Sequence, residues 1–266
     1  MIRDITLGQY YPEYSKIHRL DPRLKIIVTL VYIISLFFIE DFGGYIIVFA
    51  AVAAVTALSK VPLRFMLRGL KPIILIIIFT FTLNMLMTKG TILWEWKFIR
   101  ITEEGLYNAI FMALRLIFLI IGSSLLTLTT KPIKLTDGIE CLLKPFKRFG
   151  LPAHELAMMM TIALRFIPTL LEETDKIMKA QQARGADFET GGLIRRAKAL
   201  TPLLVPLFVG AFRIAQELAM AMEARCYHGG EGRTKLNVLK FRGYDAFAIV
   251  VAAVYLCAVA AERIFI

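Results

Sequence analysis

The sequence predicts an all-α, polytopic integral membrane protein with about five transmembrane helices and a cytoplasmic domain of three helices, two of them long. Three observations predict this class. Hydrophobic residues make up 58% of the 266 residues and the mean hydropathy is +0.65, which is rare for a soluble domain of this size. Apolar runs long enough to cross a bilayer recur along the chain. Lys and Arg are concentrated in alternate loops.

Four apolar runs with at most one charge each are predicted to span the membrane: Leu24–Ile39, Phe42–Ser59, Pro72–Thr88 and Ala246–Ala261. The first has a clear start, because Asp21 suits the N-cap and Pro22 the first helical position. A fifth span, Gly105–Thr130, carries Arg115 near its middle. A mid-membrane arginine costs about 2.5–3.5 kcal/mol on insertion. We therefore expect Arg115 to face a partner or water, or to lie near a helix end.

The loop charges predict the orientation. Five Lys and Arg residues lie in residues 1–25, four in Lys60–Lys71 and eighteen in Lys131–Arg242, against none in Glu40–Phe42 and three in Lys89–Glu104. By the positive-inside rule, the N-terminus is cytoplasmic and the C-terminus lies outside the cell (inner) membrane. The predicted domains are a membrane domain with the first four spans (1–130), a cytoplasmic helical domain (131–244) and the last span (245–266).

The cytoplasmic segment divides into three predicted helices: Leu135–Phe149, Ala153–Ala183 and Leu193–Tyr227. Gly150-Leu151-Pro152 separates the first two, and Gly185 to Gly192 the last two. The uncharged run Ala199–Phe212 contains two prolines and is predicted to be a kinked helix at or under the membrane surface. Small residues recur at i+4 spacing on both long helices, and we expect them to form a helix-crossing surface, although ordinary alanine enrichment would give the same pattern. These residues are Ala153, Ala157, Thr161, Ala211, Ala215 and Ala219.

The two long helices end alike, in Gln181-Gln182-Ala183-Arg184-Gly185 and Met222-Glu223-Ala224-Arg225-Cys226. Each end alone has a structural interpretation, because arginine in a last turn favours the helix dipole and Gly185 or Gly229 can supply a left-handed C-cap. The repetition favours a second interpretation, in which two arginine-tipped helices dock into pockets on a partner. The candidate docking residues are Ala183, Arg184, Gly185, Ala224, Arg225 and Cys226.

The octapeptide His18–Lys25 (HRLDPRLK), the two Ala-Arg motifs and the helix layout resemble the transmembrane T component of energy-coupling factor (ECF) transporters, a CbiQ-like family of prokaryotic vitamin and metal importers. The resemblance implies that the two long helices cross as a coupling domain and that Arg184 and Arg225 contact two partner ATPase subunits. It also implies that the six small residues lie on a surface that holds a separate substrate-binding S component. Cys226 stands where the first motif has Gly185, which leaves the contact of the third residue open.

The chemical motifs favour a non-catalytic subunit. The glycine-rich Gly229–Thr234 lacks the spacing and the lysine of a P-loop and is predicted to be a turn. We therefore expect that partner ATPases use the ATP and Mg and that this chain binds no cofactor. His18, His154 and His228 are isolated in the sequence, so we expect no metal site.

Three alternatives stay open. One is a self-contained permease or secondary transporter with its own substrate path. Another is the permease half of a conventional ABC importer. The third is a membrane-anchored nucleic-acid or lipid-surface binder that uses the 18 basic residues against 11 acidic ones in Lys131–Arg242. The basic residues are scattered among apolar ones without interleaved stacking aromatics, so we expect contact with membrane lipid but none with nucleic acid.

Overall fold

The computed structural model describes residues 10–96, 99–186, 188, 192–229 and 239–265. The helices are α1 (Pro22–Phe38), α2 (Phe42–Ser59), α3 (Leu63–Leu70), α4 (Ile74–Met87), α5 (Glu103–Thr129), α6 (Pro132–Leu143), α7 (Ala153–Ala183), α8 (Leu193–Glu223) and α9 (Gly243–Phe265). A 3₁₀ helix, Lys144–Phe149, follows α6. The strands found in these ranges are β1 (Ile92–Trp96) and β2 (Ile99–Thr102), which pair as an antiparallel hairpin in the predicted outer loop. The all-α polytopic class is confirmed.

The described residues form two compact units. One contains residues 10–139 and 239–265, and the other contains residues 140–229. The borders of these units follow from packing. The domain borders predicted at residues 130 and 244 follow instead from loop charge and refer to the side of the membrane, so they stay a prediction.

α5 is the central helix of the first unit. It packs against α1, α2, α3 and α4, and α9 packs against α1 and α2. The main buried cluster of this unit is apolar and contains Leu36, Ile39, Tyr45, Val48, Phe111, Phe118 and Val259. Many large apolar side chains on the outer faces of these helices are exposed, which is the arrangement expected of helices in lipid.

Five helices of the described chain are long and apolar enough to cross a membrane: α2, α5, α7, residues Leu200–Glu223 of α8, and α9. The number agrees with the prediction, but the set differs. α1, with 17 residues, and α4, with 14, are too short to be counted as single spans. α4 gives a possible sixth span only together with α3, from which it is bent by 60°. By length and composition α7 and α8 could also cross the bilayer. Their location on the cytoplasmic side therefore stays a prediction from loop charge.

Three element predictions needed correction. The Lys60–Lys71 loop contains α3, whose Met66 is buried against Leu125 and Leu128 of α5. The helix predicted over 135–149 begins at Pro132 and changes to a 3₁₀ helix at Lys144, because Pro145 cannot donate the next helical hydrogen bond. α8 ends at Glu223 rather than at residue 227. By contrast, α2 and α7 have the predicted bounds.

Candidate partner-docking helix ends

α7 ends in a left-handed glycine cap. Gly185 has φ +89°, and its N–H donates to the carbonyl of Gln182 at 2.9 Å. The N–H of Ala186 donates to the carbonyl of Gln181 at 3.0 Å. These nested hydrogen bonds define a Schellman motif. Arg184, the residue before the left-handed glycine, is exposed, so the cap presents its guanidinium at the tip of the helix.

α8 ends with the same hydrogen-bond pattern, but the left-handed residue is a cysteine. Cys226 has φ +56°, and its N–H donates to the carbonyl of Glu223 at 2.8 Å. The N–H of Tyr227 donates to the carbonyl of Met222 at 3.1 Å. Cys226 thus has the position that we assigned to Gly229. The rest of the glycine-rich segment, residues 230–234, lies outside the described residues.

The two caps place their arginines in equivalent positions. Arg225 is exposed and immediately precedes the left-handed residue, as Arg184 does on α7. Ala183 and Ala224 are exposed small residues one position earlier on each end. The two Ala-Arg ends therefore share one backbone geometry, although the left-handed residue differs.

The small residues of α8 face α7 across an open apolar groove of about 230 Å³. From α8 the groove is lined by Ala211, Ala215 and Ala219, together with Ile214, Leu218 and Met222. From α7 the lining residues are Ile162, Phe166 and Leu170, which also follow i+4 spacing. The pairing is therefore of small residues on one helix with large residues on the other.

The predicted small residues of α7 lie elsewhere. Ala153 and Ala157 are buried in its first two turns, and the half-buried Thr161 donates its hydroxyl to the carbonyl of Ala157 at 2.8 Å. None of the three lines the groove. In the same region, Nδ1 of His154 lies 3.0 Å from the Glu140 carboxylate.

The octapeptide ties the start of α1 to the start of α9. Asp21 caps α1 by accepting from the N–H of Arg23 at 2.9 Å, as predicted. The buried carboxylate of Asp245 accepts from the N–H of Asp21 at 2.8 Å and from that of Arg242 at 2.7 Å. The Arg23 guanidinium donates to the Leu239 carbonyl at 3.0 Å. No pattern in the sequence indicated the role of Asp245, which lies 224 residues from Asp21.

His18 holds the segment before α1. Its Nε2 lies 3.1 Å from the carbonyl of Tyr11, and its Nδ1 lies 2.7 Å from Oγ of Ser15. A carbonyl can only accept, so Nε2 carries the proton and Nδ1 accepts from the serine hydroxyl. Burial lowers the pKa of His18 below its usual value, which favours this neutral form.

Two cations link α1 to α5, one at each end of α1. Nζ of Lys25, in the first turn of α1, donates to the carbonyl of Thr129 at the end of α5 at 2.9 Å. Nη2 of Arg115, in α5, donates to the carbonyl of Ile39 at the end of α1 at 2.9 Å. Each helix thus neutralises the C-terminal dipole of the other. Arg115 lies near the middle of α5 and faces a hydrogen-bond partner at the end of α1, which is one of the predicted alternatives.

Aromatic rings complete the surroundings of Arg115. The guanidinium carbon lies 5.0 Å from the ring centroid of Phe111 and 5.6 Å from that of Phe37. Cation–π contacts of this length offset part of the cost of a charge removed from water. In the described part of the chain, no group of three or more His, Cys, Asp or Glu side chains could hold a metal ion.

Comparison with known proteins decides the family. Residues 13–236 match the CbiQ family model, described as a cobalt transport protein, and this match covers most of the chain, including the octapeptide and both helix ends. The chain belongs to this family. The resemblance stated from the two Ala-Arg motifs and the octapeptide is confirmed.

Curated relatives carry the name energy-coupling factor transporter transmembrane protein EcfT. The protein of Thermosediminibacter oceani is 60% identical over 249 residues, covering 94% of this chain and 94% of its own length. That of Clostridium kluyveri is 57% identical over 267 residues, covering 100% and 99%. That of Bacillus subtilis is 51% identical over 251 residues, covering 94% and 95%. These matches and the apolar helices establish a multi-pass membrane protein of this transporter family.

Proposed function

We propose that this chain is the transmembrane scaffold of an ABC-type ECF importer for a vitamin or other micronutrient. It would couple ATP hydrolysis by two partner ATPase subunits to a separate substrate-binding S component. The observation that supports this role is the pair of exposed arginines, Arg184 and Arg225, on equal Schellman caps. The capped backbone fixes the position of each arginine at its helix end. The planar guanidinium group suits a pocket with several hydrogen-bond acceptors.

The proposed mechanism is mechanical. ATP binding closes the two ATPases, and the docked tips of α7 and α8 move with them. The contact between α7 and α8 then passes that motion to the S component. On this proposal the N-terminus and the coupling domain are cytoplasmic, the chain is non-catalytic, and ATP and Mg bind only to the partners.

The exposed face of α8 supports an apolar partner. Leu204, Phe208 and Phe212 follow i+4 spacing and are 50%, 62% and 67% exposed. A stripe of large apolar residues of this kind requires lipid or a hydrophobic protein surface to cover it. An S component, which is itself a membrane protein on the family resemblance, would provide that surface.

The test of docking is charge reversal at both tips. The variant Arg184→Glu with Arg225→Glu would place two carboxylates where the partner pockets accept guanidinium groups. We expect it to lose its ATPase subunits on affinity purification from native membranes in mild detergent. A single buried arginine contact contributes about 2 kcal/mol or more to such an interface.

A matched control is Arg165→Glu with Arg213→Glu. These arginines are also exposed, one on each long helix, and lie about 28 and 18 Å along the helix axis from the tips. This variant makes the same charge change and should retain both ATPases. Normal ATPase recovery with the tip variant would show that the docking assignment is wrong.

A further inference from the structure

The 3₁₀ helix Lys144–Phe149 has a surface that the proposed docking does not use. Its sequence, Lys-Pro-Phe-Lys-Arg-Phe, contains three cations and two phenylalanines, and all six residues are exposed. Phe149 is 86% exposed and Phe146 is 50% exposed, and their ring centroids lie 6.3 Å apart. The two rings therefore form one small apolar patch. We call this segment the basic aromatic turn.

The backbone holds the turn in a defined shape. Pro145 ends the preceding α-helix, and Gly150 follows with φ +82°. The N–H of Gly150 donates to the carbonyl of Lys147 at 3.0 Å, which closes the turn. A single fixed shape keeps both rings on the surface, although water disfavours their exposure.

The charged residues of the turn itself are all cations. Between Glu140 and Glu155 the sequence has no acidic residue, and Glu140 lies against His154. Lys144 precedes Phe146 in the sequence, and Lys147 and Arg148 lie between Phe146 and Phe149, so cations alternate with the two aromatic residues. Aromatic residues bordered by Lys and Arg are typical of segments that enter the headgroup region of an anionic leaflet.

The bilayer is within reach of the turn. α6 begins at Pro132, three residues after the end of the membrane-spanning α5, and has 12 residues. It is therefore about 18 Å long, and the linker adds at most about 10 Å, so the turn lies no farther than about 30 Å along the chain from the end of a span.

We propose that the basic aromatic turn is a lipid-binding element that inserts Phe146 and Phe149 into the headgroup region of anionic phospholipid, with Lys144 and Arg148 on the lipid phosphates. The turn would thereby fix the start of α7 relative to the membrane surface. This proposal does not depend on ATPase docking by Arg184 and Arg225.

The test uses a single tryptophan at the tip of the turn. The chain has two tryptophans, so Trp94→Phe and Trp96→Phe give a background into which Phe149→Trp is introduced. Because Phe149 is exposed, the replacement removes no buried contact. The full chain is reconstituted into vesicles of phosphatidylcholine alone or of equal parts phosphatidylcholine and phosphatidylglycerol, with or without brominated acyl chains.

In the anionic vesicles we expect blue-shifted tryptophan emission and quenching by the bromines, both reduced by added salt. Lys144→Gln with Arg148→Gln should lower the ratio of inserted to withdrawn turn about 25-fold, since each cation near an anionic surface contributes about fivefold. The control variant Arg165→Gln with Lys179→Gln removes two exposed cations of α7 and should leave quenching unchanged.

Emission typical of water in both kinds of vesicle would overturn the proposal. So would quenching that is equal in neutral and anionic vesicles, or a blue shift that needs added ATPase subunits, which would assign the turn to a protein partner. ATPase recovery by the Lys144→Gln, Arg148→Gln variant should stay normal, which separates this test from that of the docking tips.

Discussion

Replacing the left-handed residues of the two caps tests the cap geometry that presents the two arginines. The helix ends differ at this position, where α7 has Gly185 and α8 has Cys226. A side chain in the left-handed region costs about 1–2 kcal/mol, because Cβ approaches the following carbonyl oxygen. We therefore expect Cys226→Gly to stabilise the α8 cap and Gly185→Ala to weaken the α7 cap, each by about that amount.

The magnitude at Gly185 is a backbone effect alone. A Cβ added at this residue would have no atom within 4 Å, so neither steric clash nor new packing contributes. A change of 1–2 kcal/mol corresponds to a factor of about 5–30 in the equilibrium between closed and open cap. Cys226→Gly should shift the equilibrium of its own cap by the same factor toward the closed state.

Hydrogen exchange measured by mass spectrometry on the detergent-solubilised chain would report this equilibrium. The amides to follow are the two that close each cap: Gly185 and Ala186 on α7, and Cys226 and Tyr227 on α8. Gly185→Ala should speed exchange at its cap about 5–30-fold, and Cys226→Gly should slow exchange by a similar factor.

Gly210→Ala is the control, because it makes the same chemical change inside α8. An added Cβ has free space there too, but the backbone is helical, so alanine should stabilise the helix by about 0.5–1 kcal/mol. The expected stabilisation at Gly210 together with no effect at Gly185 and Cys226 would refute the assignment of both ends as Schellman caps.

Two further predictions concern the membrane unit. Lys25→Met and Arg115→Met should each lower the free energy of unfolding in detergent by about 1–3 kcal/mol, since the carbonyls of Thr129 and Ile39 lose their donors. In the double variant the two losses should add. Strong non-additivity in thermal denaturation would contradict two independent contacts. For His18, the pKa is lower in the folded chain than in the unfolded one, so stability should be complete above about pH 6.5 and fall as the pH drops below it. His18→Asn should remove this slope from a melting-temperature series between about pH 7.5 and 5.5, and an unchanged slope would contradict the assignment.

Helix ends that are marked by proline, glycine or a capping residue were predictable from the sequence. α7 has the predicted bounds because Pro152 and Gly185 mark its ends, and Asp21-Pro22 marks the start of α1 in the same way. α3 was missed because its two arginines were counted as loop charge, although its eight residues are strongly amphipathic at the helical period. Met66 holds this helix against α5, a contact that depends on residues about 60 positions away.

The position of Arg184 and Arg225 at the two helix ends could be predicted, but the local backbone geometry could not. Glycine is the usual left-handed residue, which led to Gly229 rather than Cys226. The position of Cys226 is set by where the hydrogen bonds of α8 end, and a tertiary fold can impose φ +56° on a residue that does not favour it. Of the residues predicted to form the crossing surface, Ala211, Ala215 and Ala219 line the groove, and the residues opposite them on α7 are large.

The difference between the caps has a consequence for the proposed coupling. A docked arginine transmits force to its helix only while the cap hydrogen bonds hold, because an open last turn yields before the helix moves. The αL penalty at Cys226 makes the α8 cap the weaker one by about 1–2 kcal/mol. The two ATPases would therefore act on helix ends of equal shape and unequal stiffness. On this argument Cys226→Gly should make the two ends mechanically equivalent without changing the arginine that each presents.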